Sequence, residues 1–319
     1  MLKPLFLITI DTEGDDLWRR SNERTTKNSG FLWRFQEICE KFGMRPTYLT
    51  DFEMAGCSEF RRLGRDVIRR NTAEIGMHLH AWDTPPISGL TEDDNRYHPF
   101  LIEYPDKVMA EKIHHMTAVL EDTFCLKPRS HRAGRWAFDR RYARLLVENG
   151  YYVDCSVTPG TSWVTASQAP AGAKGSDYST FRDDPYWLDL DDISHEGNSG
   201  LLEVPVTIFT NWNWAWVRPG IARRALNRVL PERAWLRPNG WNLMSMLRTL
   251  RRVHDQHRPH AEFMLHSSEL MPGGSPTFES ERQIERLYRH LRSLFSHASS
   301  HFQAVTLSEF YHRWKGRGA

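Results

Sequence analysis

The feature that most constrains this chain is an alternation between short apolar runs and longer amphipathic stretches. The apolar runs, typical of buried parallel strands, lie at residues 5–10, 46–50, 74–80, 151–157, 262–266 and 302–306. Apolar residues at helical spacing occur at 31–42, 60–70, 106–124, 140–149, 279–295 and 307–314. About seven or eight such units predict an α/β protein with a distorted (β/α) barrel, because strand–helix repeats form a parallel sheet covered by helices.

The alternation extends over most of the sequence, so residues 1–319 are expected to form a single domain. This length suits the architecture, because α/β barrels commonly exceed about 250 residues in one domain. Two regions depart from the pattern. An Arg- and Trp-rich helical insertion is predicted around residues 211–257, and residues 168–184, rich in Gly, Ala, Ser and Asp, are expected to form a long loop.

Charge and cysteine content argue against several classes of protein. The formal net charge of +2 gives no general attraction to nucleic acid. The four cysteines form no CxxC pair, which predicts free thiols rather than a disulfide scaffold or a cysteine zinc site. The N-terminal apolar run is too short for a signal peptide, and no stretch approaches the ~18 apolar residues of a membrane span. A cytoplasmic protein is therefore expected.

Ionisable side chains follow three of the predicted strands, at the edge where catalytic groups gather in α/β barrels. Asp11 and Glu13 are two residues apart and therefore project to the same side of an extended segment. His78 and His80 have the same spacing, a common way to hold a divalent ion. His266 ends an apolar run and has a side chain suited to proton transfer near neutral pH. Each motif alone also fits a structural role, such as a capping carboxylate or a hydrogen-bonded histidine.

Two further residues are expected at the same edge. Arg132 lies at a predicted strand end, where a guanidinium can hold a carboxylate by a bidentate contact and keep it ionised. Asp154 lies within the run 151–157 and is a candidate to orient His266. A surface arginine and a turn carboxylate are the alternative interpretations.

Taken together, these segments resemble the polysaccharide deacetylases of the NodB-homology type, carbohydrate esterase family 4. Counterparts of all five family motifs occur in order over roughly residues 5 to 270. The first motif departs from the family pattern, because Thr12 separates its two acids. The second also departs, because Trp82 stands where the family usually has another histidine, which leaves His78 and His80 as the candidates. The family fold is a distorted (β/α) barrel, in agreement with the alternation.

The resemblance implies a divalent metal, in the first place zinc, held by Glu13, His78 and His80. It implies that Asp11 is the base that takes a proton from water, although the roles of Asp11 and Glu13 could be exchanged. It also implies that His266 is the acid that protonates the departing amine. The metal would polarise the acetamide carbonyl and activate the water.

The remaining motif residues support this site in the family. The resemblance implies that Arg132 orients the base and that Asp154 orients His266. The side chains expected to contact the substrate are Trp82, Arg135, Trp136 and Ser156. The implied reaction is removal of the N-acetyl group from a sugar.

The expected cytoplasmic location suggests a substrate that is modified before export. The sequence then resembles the variant of the family that acts in surface-polysaccharide or O-antigen biosynthesis, on a nucleotide-linked or lipid-linked sugar. The region after residue 210 fits this hypothesis, because arginines suit phosphate and tryptophans suit sugars or membrane surfaces. Its candidate residues for a pyrophosphate carrier or an anionic membrane are Trp212, Trp214, Trp216, Arg218, Arg223, Arg224, Arg228, Arg233 and Arg237. The alternative for this region is a solvated basic subdomain with a buried tryptophan cluster.

Two other functions remain open on the sequence alone. A non-catalytic carbohydrate-binding protein on the same fold would explain the departures in the first two motifs. A hydrolase of a non-sugar amide would use the same residues on a different substrate. Fold does not choose between them.

Overall fold

A curled sheet of mainly parallel strands forms the centre of the molecule, seen in a computed structural model that describes residues 3–15, 25–164, 175–211 and 220–316. The strands are β1 (Leu5–Thr12), β2 (Pro46–Thr50), β3 (Glu74–Leu79), β4 (Ser130–Ala133), β5 (Val153–Asp154), β6 (Tyr186–Trp187), β7 (Leu202–Glu203), β8 (Ile208–Thr210), β9 (Arg233–Trp235), β10 (His260–His266) and β11 (Gln303–Ala304). The helices are α1 (Leu32–Lys41), α2 (Phe52–Gly56), α3 (Ser58–Arg70), α4 (Asp94–Tyr97), α5 (Asp106–Phe124), α6 (Arg140–Glu148), α7 (Ile221–Val229), α8 (Leu243–Asp255), α9 (Glu281–His301) and α10 (Leu307–Lys315).

The strand order confirms the predicted α/β class. The sheet runs β10-β1-β2-β3-β4-β5-β7-β6, with β11 also beside β1. Its neighbouring strands are parallel except for β6 and β7. The parallel arrangement brings the carboxyl ends of the strands to one edge, as the sequence predicted.

The side of the barrel between β7 and β10 is closed by irregular chain, which is the distortion in the barrel. Backbone hydrogen bonds join Val206 N to Val157 O at 3.0 Å and Leu236 N to Thr207 O at 3.1 Å. A third joins Met264 N of β10 to Leu236 O at 3.2 Å. These bonds satisfy buried backbone groups that a regular strand would otherwise pair.

The two faces of the sheet pack into different groups of apolar residues. Alternate residues of a strand point to opposite faces, so Leu5 and Leu7 lie inside the barrel with Val153 and Cys155. Phe6 points outward and packs against Phe295 of α9, with ring centroids 6.3 Å apart. Because both faces of the sheet are buried, the strands are apolar almost throughout. A charged side chain that is buried at a strand end therefore requires a specific partner.

The predicted elements differ from the observed ones mainly after residue 150. The expected strand at 151–157 is regular only over Val153–Asp154, and β6 to β9 were not predicted because each has only two or three residues. Within the expected insertion, α8 buries Leu250 and Val253 and packs in the helical layer around the barrel. Of the two helices that the structure describes in this region, α7 alone is peripheral. Trp212, Trp214, Trp216 and Arg218 lie outside the described residues, as does part of the expected loop at 168–184.

Two further observations concern the cysteines and the length of the helices. Cys39, Cys57, Cys125 and Cys155 are all free thiols. In the described part of the chain, no helix is both long enough and apolar enough to cross a bilayer.

Candidate active site

The register of the parallel strands places the predicted site residues beside one another. Asp11 of β1 lies opposite His266 of β10, and His78 of β3 lies opposite Arg132 of β4. Glu13 follows β1 directly. Paired residues of neighbouring strands point to the same face, so these side chains share the inner edge of the barrel.

Glu13, His78 and His80 form a buried triad. The carboxylate oxygen Oε2 of Glu13 lies 3.0 Å from His80 Nε2 and 3.3 Å from His78 Nε2. One ligand atom of each residue lies within 4.8 Å of the other two. Two imidazoles and a carboxylate in this arrangement are a donor set that suits zinc and related divalent ions.

Hydrogen bonding of His78 supports a cation within this triad. His78 Nδ1 lies 3.0 Å from the backbone oxygen of Arg132, and because a carbonyl only accepts, Nδ1 carries the hydrogen. In the neutral ring the lone pair is then at Nε2, facing the Glu13 carboxylate. Two lone-pair-bearing atoms this close require a proton or a metal ion between them, so the triad fits the metal that the sequence predicted.

A glycine lets the second histidine approach this position. A β-carbon on Gly134 would lie 2.6 Å from His80 Nδ1 and 2.4 Å from the backbone oxygen of Leu79. Both contacts are too short to exist, so any side chain at residue 134 must displace the imidazole or the backbone. The absence of a side chain at Gly134 is therefore part of how the triad is built.

Electrostatics keep the Glu13 carboxylate ionised. Burial by itself raises its pKa, but the neighbouring His266 and then His78 and His80 hold the pKa well below its usual range. For His80 the largest effect is burial, which lowers the pKa of the imidazole despite its contact with Glu13. Glu13 is thus charged and His80 favours its neutral form, the states in which each binds metal. The pKa of His78 shifts the other way, because the effect of burial is outweighed by the charges of Asp11 and Glu13, which raise it.

Asp11 is held by Arg132, as the sequence predicted. Arg132 Nη1 donates to Asp11 Oδ1 at 2.6 Å, and neither side chain has appreciable contact with solvent. Burial raises the pKa of Asp11, but the charges of Arg132, His78 and His266 outweigh it and the pKa is lowered. Asp11 is therefore an ionised carboxylate, paired with a guanidinium rather than with the metal triad.

The arginine has a second buried carboxylate partner, Glu262 of β10, which was not predicted. Arg132 Nη2 donates to Glu262 Oε1 and also to Thr9 Oγ1, the latter at 2.8 Å. Burial raises the pKa of Glu262 to about 7, although Arg132 opposes the shift. The sequence could have indicated Glu262, because residues four apart in a strand point to the same face. A carboxylate four residues before His266 is therefore directed toward the same side of the sheet as His266.

His266 lies next to both acids. Its Nδ1 is 2.6 Å from Glu13 Oε1 and 3.9 Å from Asp11 Oδ2. Its backbone N donates to Glu269 Oε2 at 3.0 Å, and Arg237 Nη2 donates to the other carboxylate oxygen of Glu269 at 3.1 Å. The imidazole is thus oriented by Glu13, while Glu269 fixes the backbone that carries it.

Two residues that sequence reasoning missed fix the backbone of Glu13. Asn28 Nδ2 donates to the backbone oxygen of Glu13 at 2.8 Å and to Ser267 Oγ at 2.9 Å. Ser267 Oγ accepts from Glu13 N at 3.1 Å. Asn28 comes from outside any periodic segment, so no pattern in the sequence indicated it, whereas Ser267 could have been suspected from its place beside His266.

The predicted contact between Asp154 and His266 is wrong. Asp154 Oδ2 lies 2.6 Å from His131 Nδ1 and accepts from Ser156 Oγ at 3.0 Å. Ser156 is fully buried, and its Oγ also accepts from Ala133 N at 2.8 Å. The predicted substrate contact of Ser156 therefore conflicts with its burial, and both side chains instead join strands β4 and β5.

The other predicted substrate residues lie beside the triad. The rings of Trp82 and His80 are 4.4 Å apart, and the Arg135 guanidinium is 5.5 Å from the Trp82 ring. Trp82 and Arg135 are half-buried, so they can meet a ligand at the rim. Trp136 is buried, and its ring lies 4.8 Å from the guanidinium carbon of Arg132.

Trp136 also belongs to an aromatic group that was not predicted. Its ring stacks on Trp163 at a centroid distance of 6.4 Å and meets Trp235 edge-on at 6.1 Å. Trp163 and Trp235 are half-buried. The group extends the site from Arg132 toward the short strand β9, with flat apolar surfaces of the kind that contact sugar rings.

No family model and no curated protein matches the sequence. Solved structures with the same fold include a proposed polysaccharide deacetylase from Mycobacterium smegmatis, with 14% identity, a TM-score of 0.54, and coverage of 99% of this chain and 92% of that one. A proposed glycoside hydrolase/deacetylase from Parabacteroides distasonis has 12% identity and a TM-score of 0.62, over 99% of this chain and 72% of that one.

The same fold also occurs in an enzyme described by a different reaction. The 4-α-glucanotransferase from Thermococcus litoralis has 14% identity and a TM-score of 0.56, over 98% of this chain and 41% of that enzyme. These similarities confirm the curled, NodB-like barrel predicted from the sequence. Because one fold carries different reactions, the function has to be argued from the site.

Proposed function

We propose that this protein is a metal-dependent hydrolase that removes the N-acetyl group from a sugar. The observation that carries the proposal is the meeting of three parts at one strand edge. These are the triad of Glu13, His78 and His80, the ion pair of Asp11 with Arg132, and His266 within 4 Å of both acids. Hydrolysis of an amide requires a metal or oxyanion site, a base and an acid, and each part supplies one.

Glu13, His78 and His80 are the residues that would hold the metal. Zinc suits the donor set best, and cobalt, nickel and iron accept the same ligands. When bound, the ion supplies Lewis-acid chemistry, which polarises the acetamide carbonyl and lowers the pKa of water.

Asp11 is the proposed base. Its Oδ1 accepts from Arg132, so Oδ2 is the oxygen that takes the proton from the attacking water. The guanidinium keeps the carboxylate ionised before the reaction and holds its orientation. Glu13 is a poorer base, because it faces both triad histidines and His266 at once.

His266 is the proposed acid for the departing amine. Its Nδ1 hydrogen bond to Glu13 Oε1 fixes the plane of the ring, and we assign the transferred proton to Nε2. Asp154 has no part in this step, because it contacts His131.

An acetylated carbohydrate is the substrate class that the surroundings favour. Trp82 and Arg135 lie half-buried beside the triad, and an aromatic ring with an adjacent guanidinium suits a sugar that carries a phosphate. The fold shared with proposed deacetylases from two organisms supports the reaction class. We propose a nucleotide-linked or lipid-linked precursor of a surface polysaccharide, such as an O-antigen sugar.

Metal analysis of purified protein tests the proposal most directly. We expect about one equivalent of zinc or a similar ion per chain after reconstitution, and its loss in the double variant His78→Ala/His80→Ala. Retention of metal in the double variant would show that the triad is not the site. A wild type that binds no metal would favour a non-catalytic carbohydrate-binding protein.

Substrate assays separate the remaining alternatives. Acetate release should occur from nucleotide-linked N-acetylhexosamines, with less from the free sugars and none from simple amides. Turnover of simple amides alone would identify a non-sugar amidohydrolase and overturn the proposed substrate.

A further inference from the structure

Helix α7 differs from the other long helices because none of its described side chains is buried. Ala222, Arg224, Ala225, Arg228 and Val229 are exposed, and the remaining described side chains are half-buried at most. A surface helix of a globular protein normally buries an apolar stripe against the core. The apolar residues of α7 whose side chains are described follow helical spacing but do not contribute to the core.

Exposed apolar side chains continue from α7 onto the following chain. Val229 is 45% exposed, Trp241 50% and Met244 52%. Asn239 Nδ2 donates to the backbone oxygen of Arg228 at 2.9 Å, and the Arg228 guanidinium lies 5.9 Å from the Trp241 ring. The exposed residues of α7 around Arg228 therefore form one surface with Trp241, called here the α7 face.

The charge of the α7 face has one sign. The helix sequence contains no acidic residue, and Arg223 alone of its three arginines forms an ion pair, with Glu232 at 2.9 Å. Within the described ranges, no carboxylate pairs with Arg224 or Arg228. Arg286 adds a third guanidinium, 4.1 Å from the Trp241 ring.

Helix α3 shows what an ordinary basic helix of this protein looks like. It buries Phe60, Leu63 and Val67. Its arginines are neutralised locally, because Arg62 pairs with a glutamate and Arg69 with an aspartate of the same helix. The α7 face has neither feature, so its composition is not explained by packing or by internal ion pairs.

We infer that the α7 face docks on an anionic lipid bilayer. Exposed aliphatic side chains and a tryptophan can enter the headgroup boundary, while arginines contact lipid phosphates from the same surface. A bilayer fits better than an acidic protein, because the cations and the apolar side chains are spread over one short exposed helix, as contact with a headgroup layer requires.

The position of the α7 face relates it to the active site. Strand β9 follows α7 in the chain, and Trp235 of β9 contacts Trp136, which lies against Arg132. Docking would therefore hold the aromatic side of the site near the membrane surface, as a lipid-linked sugar requires. The inference itself is independent of the proposed reaction, because lipid binding is measured without turnover.

Vesicle sedimentation with the full chain tests the inference. Wild-type protein should bind phosphatidylcholine vesicles that contain phosphatidylglycerol, and should bind pure phosphatidylcholine vesicles far less. Arg224→Glu/Arg228→Glu should lower the partition coefficient roughly 30-fold or more, from the loss of two cations near an anionic surface. Arg62→Glu/Arg69→Glu makes the same charge change on α3 and should bind like the wild type. Trp241→Ser should weaken binding several-fold without a change in charge.

Three results would overturn the inference. The first is a wild type that does not bind the anionic vesicles. The second is an equal loss of binding in the α3 and α7 double variants, which would mean that only overall charge matters. The third is a wild-type oligomer that dissociates on Trp241→Ser in lipid-free solution, which would identify the face as an interface between copies. Normal metal content and circular dichroism of the variants exclude misfolding, and failed deacetylation with intact vesicle binding would refute the proposed function alone.

Discussion

Asp11 and Asp154 are both buried aspartates at the ends of parallel strands, and each contacts a basic residue of strand β4, yet they lie in different parts of the molecule. Asp11 pairs with Arg132 and Asp154 with His131. Arg132 and His131 are consecutive residues, so their side chains point to opposite faces of the sheet. A single step along one strand therefore separates a carboxylate in the candidate site from a carboxylate in the structural layer.

The surroundings of the two aspartates show this separation. Asp11 shares the inner face with His266. Asp154 lies between Val153 and Cys155, which both point into the barrel, so Asp154 itself faces the helices. There its partner His131 also contacts the hydroxyl of Tyr142 on α6, at 2.8 Å. Asp11 and Asp154 are alike in burial and charge. They differ in the face of the sheet to which their positions in the strands direct them.

The largest effect is expected when each of the two aspartates is replaced in turn by a neutral asparagine. Asp11→Asn should lower kcat about 10³-fold while metal content is retained, because general-base catalysis contributes on that order. Asp154→Asn should keep kcat within about threefold of the wild type, because its partner is not in the site. Acetate release and metal content of both variants provide the measurement. Equal losses of kcat would show that the two carboxylates act together.

Replacing Arg132 or His131, the basic partners of the two aspartates, compares how much each face of the sheet contributes to the free energy of unfolding. Arg132→Met should lower the free energy of unfolding by about 3–5 kcal/mol, because the buried Asp11 carboxylate loses its counter-charge and Glu262 loses a hydrogen-bond donor. His131→Leu should cost less, about 1–3 kcal/mol, because Asp154 keeps its hydrogen bonds to Ser156. Urea unfolding at neutral pH measures both. A larger loss in His131→Leu would contradict the assignment of the stronger charge network to the inner face.

Glu262 gives a pH test on the inner face. Burial raises the pKa of Glu262 from 4.5 to about 7, so the folded protein binds a proton that the unfolded chain has released between these pH values. The stability this proton provides is complete below about pH 4.5 and is lost as pH rises through about 7. Relative to Glu262→Gln, metal-free wild type should therefore lose about 2–3 kcal/mol between pH 5 and 8.

The measurement is denaturant unfolding of both proteins across this pH range. Because glutamine can still accept from Arg132 and Thr9, the variant keeps the geometry and removes only the titration. A difference between the two proteins that stays constant with pH would mean that Glu262 is ionised throughout, as an ordinary partner of Arg132.

The smallest expected effect concerns the close approach of Gly134 to His80. Gly134→Ala should weaken metal binding about tenfold, because the new methyl group must displace the imidazole or the backbone of Leu79. Gly30→Ala is a matched control, since a β-carbon there has no neighbour within 4 Å. Competition with a chromogenic chelator measures the affinity. Unchanged affinity in Gly134→Ala would place His80 outside the ligand set.

The metal triad and His266 could be predicted, because their positions depend on the spacing of polar residues relative to apolar strands. Glu13, His78, His80 and His266 each follow an apolar run, and parallel strands bring such positions to one edge. The contact of Arg132 with Asp11 follows from the same rule. The position of Asp154 was not predictable, because β5 has only two residues and its register with β4 cannot be read from so short a pattern.

Other features left different traces in the sequence. The role of Glu262 was not predicted, although a carboxylate within an apolar strand indicates a buried partner of opposite charge. The contact of Asn28 with Glu13 could not be predicted, because Asn28 lies in a segment without a periodic pattern of apolar residues. The closing side of the barrel depends on single backbone hydrogen bonds at Thr207 and Leu236, which no pattern of apolar residues encodes.

The pairing of β1 with β10 has a consequence for how the site comes into being. Glu13 and His266 are 253 residues apart in the chain, yet their side chains are in contact. Contacts between distant parts of a chain form late and slowly, because the entropy of closing the loop must be overcome first. A ribosome-bound nascent chain therefore cannot bring His266 to Glu13 until synthesis has passed β10, so metal binding by Glu13, His78 and His80 can precede assembly of the complete candidate site.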